Sequence, residues 1–471
     1  MSNKYNNLLK EVAAKYASII LNDAKIKSLT SINSAEYLYD SFVEISKLPL
    51  EKKLPLKWKL ITVKENICTK TNLTTAASNM LKDYNSPFDA SIVESLKKAG
   101  GIILGKTNMD EFAMGVKSEN NLFGRTVNPV VKDSNYDVGG SSGGAAAAIA
   151  ADICYASVGS DTGGSIRLPA AYVGCVGFKP SFGRISRYGM LAFANSFDTV
   201  GIAANNVKGV TKVFNVLDHP DINDSTCLTK EARYFVKEQH KKLSRKPIKI
   251  GIPIDWNVSE THPNVLDKWN EFISLLKSNG YLVQEIQLPI SLYANSVYST
   301  MAYAEATSNL AKYNTIAFGN CLDEKFEEEI ISSTARSFFL GDEVKKRLLL
   351  GAYSLARMNS SDLFSKARYV RRAIQLEFNK NFFLPSFSVD DPRGDIDFIV
   401  TPSFFNSSQP IETPSSYSHL SDTMLVPANM AGIPSVSIPF GTLNNGLPMG
   451  IQIMAQYLND EDLLSFAGQF A

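Results

Sequence analysis

The chain has 471 residues, 44% hydrophobic and 20% charged, enough for a large buried core and ordinary for a globular protein. A formal net charge of +1 offers no field for strong phosphate-backbone binding, so any nucleic acid is expected to be held through a partner. No segment reaches the roughly eighteen uninterrupted apolar residues of a membrane span, and five widely spaced cysteines without a C-x-x-C pair argue against structural zinc or a disulfide scaffold and fit a reducing compartment.

At the N-terminus, Leu8, Leu9, Val12, Ala13, Tyr16, Ile19 and Ile20 recur at helical spacing. The stretch reads as a packed surface helix or an amphipathic targeting sequence; it lacks arginine, contains Glu11 and has no secretory apolar region. Trp58 to Asn66 alternates like a strand and ends at a polar turn, with Lys64 near its end. Ala90 to Ala99 reads as a helix closed by Gly100, and Gly101 to Leu104 as a buried strand. Thr107 or Asn108 is then expected to cap a helix carrying Asp110 and Glu111. A first glycine-serine segment, Gly139 to Gly144, leads into an alanine-rich helix, Gly144 to Ala151. The buried strand Ile153 to Val158 runs from there into a second segment, Asp161 to Arg167.

Further on, Ile248 to Ile254, Val265 to Ser278 with Gly280, and Tyr281 to Leu288 form a strand-helix-strand unit. Charged helices are expected over Asp323 to Met358 and Leu363 to Phe383, and late strands over Asp395 to Val400 and Met449 to Ile453. No Pro/Gly/Ser linker divides the chain, so it reads as one large α/β domain. The alternation implies a mostly parallel or mixed central sheet covered by helices on both faces.

The two glycine-serine segments carry the chemistry. Each puts a serine hydroxyl on uncrowded backbone, and the second offers consecutive N–H groups that can hold an anion, which together suggest a serine nucleophile with an oxyanion hole. A glycine-serine turn before a helix also binds phosphate, but neither segment has the Walker lysine pattern or a G-x-G-x-x-G after a strand. Histidine occurs only at positions 219, 240, 262 and 419, none within fifty residues of Ser165. That lowers the weight of a Ser-His-Asp triad and leaves a deprotonated lysine as the other common base, with Lys64 the candidate. At a reference pKa near 10.4 a lysine is neutral roughly one time in a thousand at pH 7.4, so burial has to lower it by about three units. Asp161 and Arg167 read as a pair that fixes the loop.

From Trp58 to Gly201 the chain resembles the amidase signature hydrolases. The likeness rests on the strand ending at Lys64, Gly-Gly-Ser-Ser-Gly-Gly at 139–144, Asp-Thr-Gly-Gly-Ser-Ile-Arg at 161–167, Gly-Phe-Lys-Pro at 177–180, and serines 24 residues apart. It implies a catalytic core over about 58–201, with additions over about 205–390. It also implies Ser165 as nucleophile, Ser141 as a bridging serine preceded by a cis peptide, Lys64 as base, and the N–H groups of Thr162, Gly163, Gly164 and Ser165 as the oxyanion hole. Residues 111–115, 186–189, 304–310, 343–347 with Gly351, and 427–434 look like the branch of the family that hydrolyses glutamine for tRNA-dependent amidation.

In that branch Arg347 grips the α-carboxylate of glutamine, Asp422 its α-amino group, and Tyr298, Met114 and Gly115 belong to the pocket. A zwitterion needs one cation and one anion at fixed separation, which a simple amide does not. The resemblance further implies a B subunit that receives the ammonia and converts Glu-tRNA(Gln) to Gln-tRNA(Gln) with ATP and Mg²⁺, and a small third subunit of C or F type. This chain itself is expected to hold no cofactor or metal. A short helical start, Val116-Lys117-Ser118 and an early C-terminus look like the fungal mitochondrial form, with a bacterial cytoplasm as the alternative. The rival readings are a stand-alone hydrolase of another amide and a non-catalytic phosphate-binding or interaction protein.

Overall fold

The computed structural model describes residues 2–49, 51, 53–131, 136–241, 243, 247–256, 259–320, 331–356, 363–386, 391–413 and 416–471. Among the described residues eleven strands form one sheet: β1 (Leu29–Ile32), β2 (Leu60–Lys64), β3 (Ile102–Thr107), β4 (Ala156–Asp161), β5 (Val176–Lys179), β6 (Thr199–Ala204), β7 (Lys249–Pro253), β8 (Leu282–Ile286), β9 (Phe398–Pro402), β10 (Ser435–Thr442) and β11 (Pro448–Ala455). Their order is β1-β3-β2-β4-β6-β5-β10-β11-β9-β7-β8. β2 runs parallel to β3 and β4, and β7 parallel to β8 and β9. All pairings that involve β1, β5, β6, β10 or β11 are antiparallel, so the sheet is mixed.

The central strands are buried along their whole length because helices cover both faces. On one face, Ala203 of β6 packs with the helix Gly143–Ala150, where glycine and alanine let backbone approach the sheet closely. On the other, Val200, Ile202 and Ala204 pack with Val210, Val213 and Phe214 of the helix Val207–Leu217. This two-sided burial holds the C-terminal ends of β2 and β4, where Lys64 and Asp161 sit, in a dry environment.

The strand-helix-strand unit forms as its pattern predicts: Pro263–Ser278 links β7 to β8, and Gly280 takes φ +82° after the helix. β4 starts later than expected, at Ala156, because Asp152 and Ile153 complete the turn that ends the preceding helix. No α-helix carries Asp110 and Glu111. A single 3₁₀ turn, Glu111–Ala113, stands there, with Phe112 and Ala113 at positive φ. The Asn108 amide, a candidate cap, instead donates to the carbonyls of Lys27 and Gly124, and the Asp110 carboxylate turns back to accept N–H groups from residues 118–120. The charged stretch after 323 is two helices, Ile331–Phe339 and Asp342–Leu355, followed by Leu363–Asn381; its positions 323–330 and 357–358 lie outside the described residues.

Candidate active site

Lys64 ends β2 and is fully buried, with its Nζ 2.9 Å from Ser141 Oγ and 3.0 Å from Ser160 Oγ. Burial takes its pKa down from 10.5 to about 7, against the opposing pull of Asp110, Asp161 and Asp198. Ser141 is itself inaccessible to solvent and follows a cis Gly140–Ser141 peptide. A neutral amine has one lone pair and two donors, so this contact geometry allows it to accept from Ser141 while donating to Ser160. Ser160 also accepts from the Asn66 amide at 3.3 Å.

The second segment leaves β4 at Asp161. The buried Asp161 carboxylate accepts the N–H groups of Gly164 at 2.9 Å and Ile166 at 3.2 Å, and receives Arg167 through Nε and Nη2, each at 3.0 Å. Burial opposes its ionisation, but Arg167, then Lys179 and Asn429, hold it below the usual carboxylate range. Arg167 is tied in turn to the Leu425 carbonyl at 3.0 Å and to Gln452 at 2.7 Å. Gly164 adopts φ +114°, a conformation open to glycine alone in practice, and this presents Ser165 to the open side of the loop.

Ser165 is half-buried and lines a cavity of about 330 Å³ together with Gly115, Gly140, Gly163, Tyr298, Arg347 and Asp422. The structure thus gathers residues from four distant parts of the chain around one space. Of the residues expected at the oxyanion or the substrate, three, Thr162, Gly164 and Met114, do not line it. The Gly164 N–H is committed to Asp161, so of the four expected oxyanion donors it is the one already used. The Gly163 and Ser165 N–H groups donate to nothing among the described residues, and Thr162 anchors the loop from behind through its hydroxyl to Asp198 at 2.7 Å. Met114 points its side chain into the hydrophobic core; Ala113, Gly115 and Val116 line the cavity instead.

Arg347 is 5% exposed. Its Nε donates to Glu343 at 2.8 Å and its guanidinium lies 5.3 Å from the Tyr303 ring centre, while Nη1 and Nη2 donate to nothing among the described residues. Tyr298, whose hydroxyl burial holds well above its ordinary pKa, stands beside Gly163, where any side chain would press on its ring. Glu343, Tyr303, Lys346 and Asn295 also line the cavity; Glu343 and Lys346 fall in the segment 343–347 that carries the resemblance, but none of the four was given a role from sequence. The i,i+4 spacing of Glu343 and Arg347 on one helix was a usable signal for the first; nothing local marks the others. His219, His240 and His262 bind Ser95, Pro385 and the Asn264 N–H respectively, and none lines this cavity.

The amidase family profile matches residues 24–464. The chain is 40% identical over 443 residues to the A subunit of the mitochondrial glutamyl-tRNA(Gln) amidotransferase of Coccidioides posadasii, covering 88% of each chain. It is 36% identical over 487 residues to the A subunit of the glutamyl-tRNA(Gln) amidotransferase of Prochlorococcus marinus, covering 99% of this chain and 97% of that one. The crystal structure of the corresponding glutamyl-tRNA(Gln) amidotransferase subunit from Thermotoga maritima superposes with a TM-score of 0.75 at 29% identity, over 98% of this chain and 90% of the other. A serine beside a desolvated lysine, a loop of free N–H groups and this extent of similarity together place the chain in the amidase signature family.

Proposed function

We propose that this protein is the glutamine-hydrolysing component of a tRNA-dependent amidotransferase, using Ser165, Ser141 and Lys64. The observation that carries the reading is Arg347: a buried guanidinium, fixed at Nε, with both Nη groups unspent in the same cavity as Ser165. An amidase acting on an uncharged amide has no use for a buried cation aimed at the substrate space, whereas an α-carboxylate accepts such a fork in bidentate fashion. Asp422 gives the cavity an anion for the α-ammonium. The named relatives in fungi and bacteria support the same assignment.

In this mechanism Ser165 Oγ attacks the side-chain carbonyl of glutamine as its proton passes to Ser141, whose own proton goes to Lys64. The Gly163 and Ser165 N–H groups hold the oxyanion that develops. Return of the proton through Ser141 to the amide nitrogen breaks the C–N bond, releasing ammonia and leaving a glutamyl ester on Ser165. Water then repeats the sequence and frees glutamate. The Lys64–Ser141 bond is already formed, whereas the Ser165 hydroxyl bonds nothing among the described residues and lines the open cavity; its link to Ser141 is the step left for substrate binding to complete.

In the complex, ATP and Mg²⁺ act at a B subunit that also holds the tRNA, a small C- or F-type subunit joins them, and the assembly works in mitochondria. The test is to co-purify this chain with its B subunit, supply glutamine and measure ammonia, with and without Glu-tRNA(Gln). Glutamine hydrolysis stimulated by the charged tRNA is the expected result. Turnover of other amides but not of glutamine overturns the reading in favour of a stand-alone amidase.

A further inference from the structure

Asp110 is fully buried and takes no direct part in the chemistry above. Its Oδ2 accepts the Ser118 N–H at 2.9 Å, and its Oδ1 accepts the N–H groups of Glu119 at 3.0 Å and Asn120 at 3.2 Å. Its own N–H donates to the carbonyl of Ser141 at 3.2 Å. The carboxyl is wedged between two glycines that line the cavity: a Cβ at Gly115 or at Gly140 would collide with it. Ser118, held by this carboxylate, reaches the other way, donating its hydroxyl to Gly139 at 3.0 Å and accepting the Gly143 N–H at 2.8 Å. Asp110 and Ser118 therefore clasp the glycine-serine turn from below.

We infer that Asp110 is a positioning residue for the reaction: it ties residues 118–120 under the Gly140–Ser141 turn and, as its anion, favours the charged forms of Lys64 and Arg347. The inference rests on the function proposed above. Among the described residues no cation bonds this carboxylate; burial raises its pKa, while three backbone N–H groups and the Arg347 charge favour the anion, whose field then reaches groups further off. Those groups are Lys64, whose ammonium form it favours, Arg347, and Asp137, which it opposes. Asp161 and Asp198 also face Lys64 and remain in place when Asp110 is changed.

The sign of the effect follows. Removing the Asp110 charge disfavours the Lys64 ammonium, so the base is free at lower pH than in the parent protein. The test is the pH dependence of Ser165 labelling by a fluorophosphonate, which reads the serine-lysine relay without depending on glutamine, run in the co-purified complex on Asp110→Asn and Ser118→Ala. Asp110→Asn should move the acidic limb down by roughly half a pH unit or more and slow the plateau rate. Ser118→Ala, which keeps the charge and cuts the tie to Gly139 and Gly143, should slow the plateau about 3- to 10-fold with the limb unmoved. If Asp110→Asn folds, as judged by its melting curve, and slows labelling without shifting the limb, the electrostatic role is overturned. An unchanged plateau in Ser118→Ala overturns the tether even if Asp110→Asn does not fold. A wild-type complex labelled normally but inert to glutamine would instead sink the proposed function.

Discussion

The two walls of the cavity are built on different principles. The floor, made by the ends of β2 and β4 and the glycine-serine turns, is buried and wired in large part by backbone: Asp161 serves two N–H groups besides Arg167, and Asp110 serves three. The opposite wall, made by the helices Ala294–Leu310 and Asp342–Leu355 and by Asp422, presents side chains whose partners are other side chains, such as Glu343 and Tyr303 around Arg347. A floor fixed by backbone suits a reaction that tolerates little displacement of nucleophile and base. A wall of side chains on helix faces can change its charge pattern without disturbing that floor, so reaction type and substrate choice become separable.

The separation is tested most severely at Lys64. Lys64→Met should lower glutamine hydrolysis by about 10³-fold or more. The same change should stabilise the fold. Lys64 titrates near 7 when folded and near 10.5 when unfolded, so between those values the unfolded chain binds more protons and wild-type stability rises with pH. The cost of the buried amine near neutral pH is about 4 kcal/mol, reduced by roughly 1–2 kcal/mol for the bonds lost at Ser141 and Ser160. Denaturant melts should therefore show the variant ahead at pH 7 by about 2–3 kcal/mol, with the gap closing toward pH 10.5. A variant less stable than wild type at pH 7 would mean that the floor does not carry a desolvated lysine.

On the other wall, Arg347→Ala should raise KM for glutamine by about 100-fold with a smaller change in kcat, because the guanidinium contacts a part of the substrate remote from the reacting carbonyl. Hydrolysis of butanamide, which has no α-carboxylate, should stay slow and unchanged. Steady-state ammonia release on both substrates distinguishes this from general damage, which would depress both alike.

Much of the floor was legible because its chemistry is local. The two glycine-serine segments mark themselves by their glycines, and Lys64 comes into view as the base those serines need; the choice of Ser141 as the bridging serine came through resemblance. The bond from Gly164 to Asp161 was not legible, since only the folded loop decides which N–H groups curl inward to the carboxylate and which stay free. Met114 illustrates the same limit: its neighbours Ala113 and Gly115 face the cavity, and the positive φ at Phe112 and Ala113 turns its side chain into the core, against any regular period. The antiparallel pairing of β4 with β6 escaped because a buried strand reads alike whichever way its neighbour runs. On the helical wall, Arg347 and Asp422 were traceable only through resemblance; their approach to Ser165 depends on how helices cross above the sheet, and no window of sequence records that.

The finest division concerns how Arg347 is held. Glu343 is about a quarter exposed and bonds Nε at 2.8 Å, and Tyr303 supports the guanidinium face. Glu343 also stands where a substrate carboxylate has to approach, so its charge repels what its hydrogen bond helps to bind. The two effects have opposite signs, and exposure weakens the charge term more than the geometric one, because solvent screens a field but does not replace a fixed bond at short range. Glu343→Ala, which loses both, should therefore raise KM for glutamine about fivefold, close to 1 kcal/mol. Glu343→Gln keeps an acceptor for Nε while discarding the charge, and should lie within about twofold of wild type. If the glutamine variant proves as weak as the alanine one, charge and not orientation governs Arg347, and the helical wall works by field rather than by fit.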